Sequence, residues 1–262
     1  MDDDAALPRV GERSSRLTRR LLAPNSSPMT LEGTNSYLIG APGSASIVVV
    51  DPGPDDEGHL HALTEAGPVE LILVTHHHPD HTAGSARLAR LTGAPVRAFD
   101  PAFCHAGEPL TDGEQISAAG TSIGVIATPG HTADSACFRL SDDGPNGAVL
   151  TGDTILGRGT TIIDYPDGTL GAYLESLEIL RTLGPATVLP AHGLDLPDLA
   201  SICSEYLQHR NERLDQIRAA LLRLGTNAPT EQVTDVVYAD VDPRLRSAAE
   251  ASVRAQLAYL RG

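Results

Sequence analysis

The run Thr75-His76-His77-His78-Pro79-Asp80-His81 places four imidazoles and one carboxylate within seven consecutive residues. It follows the apolar stretch Leu71-Ile72-Leu73-Val74, so the histidines are expected on a loop at the carboxyl end of a buried strand. Open α/β sheets put their ligands at such strand ends. In an extended or gently turning loop His76 and His78 point the same way, while Asp80 and His81 face a second point a few ångströms off. Neutral imidazole and carboxylate are donors that suit zinc and its first-row neighbours. A histidine tract by itself would serve equally well as a surface feature, so the argument needs donors from elsewhere in the chain.

Three other segments supply them. The strand-like run Ile123 to Thr128 ends in Pro129-Gly130-His131, Ala148-Val149-Leu150 ends in Thr151-Gly152-Asp153, and Thr187-Val188-Leu189 ends in Pro190-Ala191-His192-Gly193. Each repeats one device: an apolar strand, a turn of small residues, Gly or Pro, then a single donor. Glycine at such a turn permits a tight bend and a close backbone approach. Four separate strand ends, each delivering His or Asp, exceed what a purely structural role asks for.

The order His-x-His-x-Asp-His, then His, then Asp, then His resembles that of the metallo-β-lactamase superfamily over the first 195 residues. That resemblance implies an αββα sandwich and two divalent ions. His76, His78 and His131 would hold one ion, Asp80, His81 and His192 the other, and Asp153 would bridge ions ~3.5–4 Å apart. Zinc is the first expectation, and the oxygen donors Asp80 and Asp153 leave manganese or iron open. The implied reaction is hydrolysis by a hydroxide shared between the ions, since coordination lowers the pKa of water to about 7. Asp80 and Asp153 are the expected catalytic residues, with Asp80 orienting the hydroxide or shuttling its proton. An aspartate at the bridging position is more like the glyoxalase II and transfer-RNA 3′-processing branches than the zinc β-lactamases. Lactamase or lactonase activity is therefore not the expected main role, and neither is a non-catalytic metal protein.

The resemblance narrows at Pro28 to Gly40, at Val50-Asp51-Pro52-Gly53 and at Gly152 to Gly157, which look like the lactamase-β-like endoribonuclease branch. That branch carries a C-terminal winged-helix domain, entered by a segment like Leu207-Gln208-His209-Arg210. Fungal polyketide-releasing thioesterases of the same fold are similar too. A winged helix finishes in a β-hairpin, whereas the sequence stops at Gly262 just after its last helical pattern, so a reduced wing is expected. Two substrate classes follow: first the phosphodiester of single-stranded RNA, which the resemblance to the endoribonuclease branch favours, and as the alternative a small-molecule thioester or other acyl ester, which the acidic balance and the reduced wing favour. The net charge of −15, with arginine as every basic residue, disfavours broad adhesion to nucleic acid or to an anionic membrane. The cluster Arg9, Arg13, Arg16, Arg19 and Arg20 is read as a solvated strand edge.

Other candidates are weaker. His77 lies between two donors and points to the opposite side, as a supporting or packing residue would. His59, His61 and His105 lack partner spacing. Asp51 ends a strand before Pro52-Gly53, and by the resemblance supports the donor loop from behind. Asn35 would either bind substrate or cap a turn, and Arg158 and Tyr165 are candidates to line a pocket. Cys104, Cys137 and Cys203 are odd in number and widely spaced, which argues against a disulfide framework and for a cytoplasmic setting.

These donors need strands to present them. Strand-like runs occupy residues 36–39, 46–51, 71–75, 96–99, 123–128, 136–140, 148–151 and 187–189, with helical spacing at 57–66, 83–92 and 170–183. The pattern is that of a layered α/β protein. After about Leu196 the character changes: Pro197 opens a long helical pattern that Gly225 and Pro229 break, followed by Thr230 to Tyr238 and Pro243 to Leu260. Two domains are expected, residues 1–196 as the sandwich and 197–262 as a small all-α, winged-helix-like unit. No apolar run approaches the ~18 residues of a membrane span, and the acidic start Met1-Asp2-Asp3-Asp4 is unlike a secretory signal.

Overall fold

A computed structural model describes residues 10–262 as two sheets packed face to face, with helices on both outer faces. The first sheet lays β1 (Glu12–Arg13), β2 (Thr18–Leu22), β3 (Asn35–Ile39), β4 (Ile47–Val50), β5 (Val69–Leu73) and β6 (Val96–Arg97) side by side in that order. Its first four strands pair antiparallel and its last three parallel. The parallel joints are crossovers through α1 (Glu57–Glu65) and through α2 (Pro79–Thr82) with α3 (Ser85–Thr92). The second sheet runs β7 (Gln115–Ala118), β8 (Thr121–Ala127), β9 (Ala136–Leu140), β10 (Ala148–Gly152) and β11 (Thr187–Pro190). Only β10 and β11 are parallel there, joined across α4 (Leu170–Arg181).

Side-chain alternation builds the layers. Val48, Val50, Leu71 and Leu73 face inward and meet Ile123, Val125, Phe138 and Leu150 of the second sheet. Their neighbours Ile47, Val49, Ile72 and Val74 face outward against Leu60 and Leu63 of α1 and Leu88 of α3. Strands covered on both sides read as unbroken aliphatic runs, which is why β4 and β5 are plain in the sequence. On the far side Cys137, Val149 and Val188 pack against Tyr173, Leu177 and Leu180 of α4. Fully burying each such aliphatic side chain contributes about 1.5–3 kcal/mol.

The chain then enters α5 (Leu199–Leu224), a 26-residue helix capped by the Asp198 carboxylate on the Ser201 amide and stopped at Gly225. Its first half, through Leu199, Cys203, Tyr206 and Leu214, belongs to the layer outside the second sheet. Its second half, through Ile217 and Ala220, packs with Val233 of α6 (Thr230–Val237) and with Val253 and Leu257 of α7 (Arg246–Arg261). Among the described residues no strand follows β11. No described helix is long and apolar enough to cross a membrane.

The arginine cluster differs in part from the sequence reading. Arg13 lies on the edge strand β1, and both Arg13 and Arg16 are exposed. Arg19 and Arg20 sit one strand further in, on β2, and are half-buried. Arg20 pairs with Glu12 at 2.6 Å and lies 3.7 Å from Asp195. Arg9 lies outside the described residues.

Candidate metal centre

All seven donors singled out in the sequence come together at one end of the two sheets, on the loops that leave β5, β8, β10 and β11 and, for Asp80 and His81, on the short helix α2 that follows β5. Three ring nitrogens converge first: His78 Nδ1 lies 3.0 Å from His76 Nε2 and 3.1 Å from His131 Nε2. Nitrogens held tetrahedrally around one zinc-sized ion at ~2.0–2.1 Å would lie ~3.3 Å apart, so the spacing fits a shared cation. A second group comprises Asp80, His81 and His192, with Asp80 Oδ2 at 3.4 Å from His81 Nε2 and 3.2 Å from His192 Nε2.

Asp153 lies between the two groups and divides its oxygens. Oδ2 faces His131 Nε2 at 3.6 Å, whereas Oδ1 faces His81 Nε2 at 3.6 Å and His192 Nε2 at 3.3 Å. Oδ1 of Asp153 and Nε2 of His81 are fully buried yet make no hydrogen bond. Buried polar atoms left without a partner are costly, and two of them aimed at one point fit a cation held between them.

The outward nitrogens of three histidines are fastened. His81 Nδ1 donates to Asp51 Oδ2 at 2.8 Å, His131 Nδ1 to the Ile162 carbonyl at 2.6 Å, and His192 Nδ1 to the Gly33 carbonyl at 3.1 Å. Each bond fixes the tautomer that leaves the Nε2 lone pair facing the centre, the usual arrangement of metal-binding imidazoles. Asp51 does more than hold His81, because it also accepts from the Thr75 amide at 2.8 Å and the Thr75 hydroxyl at 2.7 Å. The turns need their glycines: at Gly152, with φ +50°, a Cβ would stand 2.7 Å from the Thr75 side chain, and at Gly130 it would stand 2.3 Å from the Tyr173 backbone.

The sequence from residue 29 to 192 matches the metallo-beta-lactamase superfamily model, and residues 230–261 match a beta-lactamase associated winged helix domain. The chain belongs to the metallo-β-lactamase superfamily. The lactamase-like protein adaB of Aspergillus niger is 34% identical over 230 residues, covering 84% of this chain and 69% of that protein. A metallo-beta-lactamase family protein from Thermus thermophilus superposes with a TM-score of 0.77 at 25% identity, over 93% of each chain. The protein TTHA1623, solved in a di-iron-bound form, has a TM-score of 0.57 at 25% identity over 71% of this chain and 97% of its own. Membership makes this chain a metal-dependent hydrolase, of a superfamily whose members bind divalent ions.

Electrostatics separates the two halves of this superfamily centre. Burial, reinforced by neighbouring imidazoles, pushes His76 well below the ordinary histidine range, and burial also lowers His131 against the pull of Asp153. Burial opposes charge on His192 as well, but Asp153 and Asp80 outweigh it and lift that imidazole to about 9. His81 is likewise raised, against burial, by Asp51 and Asp153. The same histidines overcome burial to hold Asp80 and Asp153 well below the usual carboxylate range. The metal-free centre thus keeps both aspartates ionised and offers neutral nitrogens at the His76 and His131 corner.

Several supporting groups were not evident from the sequence. Asp164 Oδ2 lies 3.1 Å from His78 Nε2, and the Thr34 hydroxyl lies 3.5 Å from Asp80 Oδ2. Both are long-range pairings with no local spacing signal. Asn35 proves to be a brace: its Nδ2 donates to the Pro190 and Gly193 carbonyls at 2.9 Å each, around the His192 turn. His77 faces away, with Nδ1 at 2.8 Å from Asp134. Tyr165 packs against the layer outside the second sheet, whereas Arg158 lines a cavity of about 390 Å³ that opens onto His131 and Asp153. Cys137 and Cys203 are buried and their thiols are pushed up to about 11 and 12 by that burial, which leaves neither a nucleophile. A larger cavity, of about 560 Å³ beside Arg20, Asn35 and Leu194, contains none of the seven donors.

Proposed function

We propose that the chain hydrolyses an acyl ester or thioester of an amphipathic small molecule at a dinuclear centre. His76, His78 and His131 would hold one ion, Asp80, His81 and His192 the other, and Asp153 would serve both. The observation that carries this assignment is the division of the Asp153 oxygens between the two groups. Zinc suits the five imidazoles, and the di-iron form of TTHA1623 makes iron the second choice. Two divalent ions, when bound, supply a Lewis acid for the scissile carbonyl and a water acidified to a pKa of about 7. Asp80, ionised and beside His81 and His192, would take the proton of an attacking water. Asp51, the Ile162 carbonyl and the Gly33 carbonyl keep the histidines from turning.

The cavity of about 390 Å³ favours the acyl class. Met29, Leu31, Leu156, Ile162, Val241 and Leu245 give it aliphatic walls that suit a carbon skeleton. An RNA strand is gripped by stacking platforms and a succession of phosphate contacts, and among the described lining residues Tyr238 is the one Phe, Tyr or Trp. RNA phosphodiester cleavage, the first expectation from the sequence, becomes the second reading, favoured by the match to a winged helix domain. We also propose the division of the chain into residues 1–196 and 197–262, with α5 bridging them. A cytoplasmic setting is proposed on the three free cysteines.

Metal-loaded protein should be assayed on acyl thioesters, lactones and single-stranded RNA over a range of salt. Thioester turnover with little salt dependence is expected. RNA cleavage that fades with salt, at a log–log slope of roughly −0.7 per phosphate contact, beside inert thioesters would overturn the acyl reading.

A further inference from the structure

The cavity beside the metal centre has a cationic wall that the hydrolytic chemistry leaves unused. It is built by α5. Tyr206 and Arg210, one helical turn apart, fasten the loop after Asp153: the Tyr206 hydroxyl donates to the Gly159 carbonyl at 2.8 Å, and Arg210 donates to the Thr161 carbonyl at 2.5 Å. His209 and Arg213, also one turn apart on the neighbouring stripe, line the cavity itself. Arg210 is committed to structure, since its guanidinium also lies 5.0 Å over the Tyr173 ring. Arg158 at the rim is spoken for by Glu32 at 2.9 Å.

Arg213 and His209 are different. The Arg213 guanidinium stacks 4.4 Å over Tyr238 and donates to Gln216 at 2.7 Å and to the Val237 carbonyl at 3.4 Å, and its Nε is fully buried with no partner. His209 Nδ1 and Arg210 Nε are also buried and unpartnered, so three of the nitrogens in this state among the described residues belong to residues lining one cavity. Among the described residues lining the cavity Asp153 is the single carboxylate, and it belongs to the metal centre. A chain of net charge −15 has therefore set the Arg213 guanidinium beside its candidate site, next to the His209 imidazole, which burial and the neighbouring Arg210 and Arg213 hold below the ordinary histidine range.

We propose that His209 and Arg213 form a recognition site for an anionic group on the substrate, a carboxylate or a phosphate, carried at a distance from the scissile bond by an apolar body. This rests on the acyl-hydrolase reading and narrows it to acidic acyl esters or thioesters. A guanidinium stacked on a tyrosine is pre-ordered, so binding an anion there loses little side-chain freedom. Charge-assisted hydrogen bonds in a partly dry cavity are among the stronger polar contacts.

The test uses metal-loaded protein and three matched thioesters. Hexanoyl-N-acetylcysteamine is neutral, the mono-N-acetylcysteamine thioester of adipic acid carries a carboxylate on the acyl side, and hexanoyl-coenzyme A carries phosphates on the thiol side. We expect kcat/KM for one of the two charged substrates to exceed that of the neutral one at least tenfold. The side that wins identifies the source of the anion. The ratio should fall tenfold or more in Arg213→Gln and recover in part in Arg213→Lys. A ratio near one in the wild-type protein, or one unchanged in Arg213→Gln, would overturn the proposal. If no thioester turns over, the acyl reading itself has failed. The anion site is then judged by calorimetry with 4-phenylbutyrate against its neutral amide, where equal affinity of the wild-type and Arg213→Gln proteins for the acid overturns it.

Discussion

Replacing Asp51 by asparagine isolates what holds the second metal group in place. Asp51 adopts φ +51°, a left-handed conformation that asparagine tolerates better than most residues, so the backbone should survive the change. The carboxylate accepts three hydrogen bonds, from the Thr75 amide, the Thr75 hydroxyl and His81 Nδ1. An asparagine in the same place keeps one oxygen. If that oxygen stays toward His81 and the Thr75 hydroxyl, the new amide group confronts the Thr75 N–H donor with a donor. Losing one charge-assisted bond and weakening two others costs about 1.5–3 kcal/mol of local stability. Loosening the partner of a metal-bound histidine typically lowers metal affinity 10–100-fold, which corresponds to about 1.4–2.8 kcal/mol. The loss should fall on the ion held by Asp80, His81 and His192, because His81 is the donor that Asp51 holds. Stepwise competition with a chromogenic chelator separates the two binding events. Equal weakening of both events, or a change under threefold in either, would refute the view that Asp51 acts through His81.

Other consequences of the centre can be measured directly. Asp153→Ala should abolish turnover and lower the metal content below two ions per chain while leaving the secondary structure intact, because it removes the shared donor and no core side chain. His77→Ala should keep most activity and both ions, since its ring turns toward Asp134; metal loss matching that of Asp153→Ala would show the donor register to be wrong. Loading the metal-free protein at pH 7.5 should release protons, because His192 is charged until about pH 9 and an ion can bind only the neutral imidazole. Apparent affinity should accordingly climb with pH through about 9, where His192 loses its proton; calorimetry in two buffers of different ionisation enthalpy that finds no proton release would contradict the charge state assigned to His192.

The donors were legible because each sits immediately after an aliphatic strand, and strands buried on both faces announce themselves as unbroken runs such as Ile47 to Val50. β2 was legible only as an unbounded strand edge, since Arg19 and Arg20 interrupt its apolar pattern and Arg20 is accommodated through Glu12 and the distant Asp195. β7 was missed for another reason: Gln115-Ile116-Ser117-Ala118 alternates correctly but offers only one large apolar side chain. The groups that orient the histidines were hidden still more deeply. The Ile162 and Gly33 carbonyls leave no trace in residue type, and Asp164 meets His78 across 86 positions of sequence.

The helix α5 shows how position in the fold gives meaning to a segment whose spacing alone says only that it is helical. Its apolar residues serve two hydrophobic clusters in succession, which ties the C-terminal helices to the layer outside the second sheet. Between those apolar positions, Tyr206 and Arg210 grip the loop 156–161, and that loop in turn supplies the Thr161 hydroxyl 3.2 Å from His131 Nδ1. The next residue, Ile162, provides the carbonyl that fixes the same ring. A change at the start of the C-terminal region is therefore coupled to a metal-facing histidine through two hydrogen-bonded steps. The same helix places His209 and Arg213 in the cavity. Because one rigid element carries both sets of residues, the metal-facing nitrogen of His131 and the cationic wall are held in a fixed relation, which is what selecting a substrate by the distance between its anionic group and its scissile bond requires.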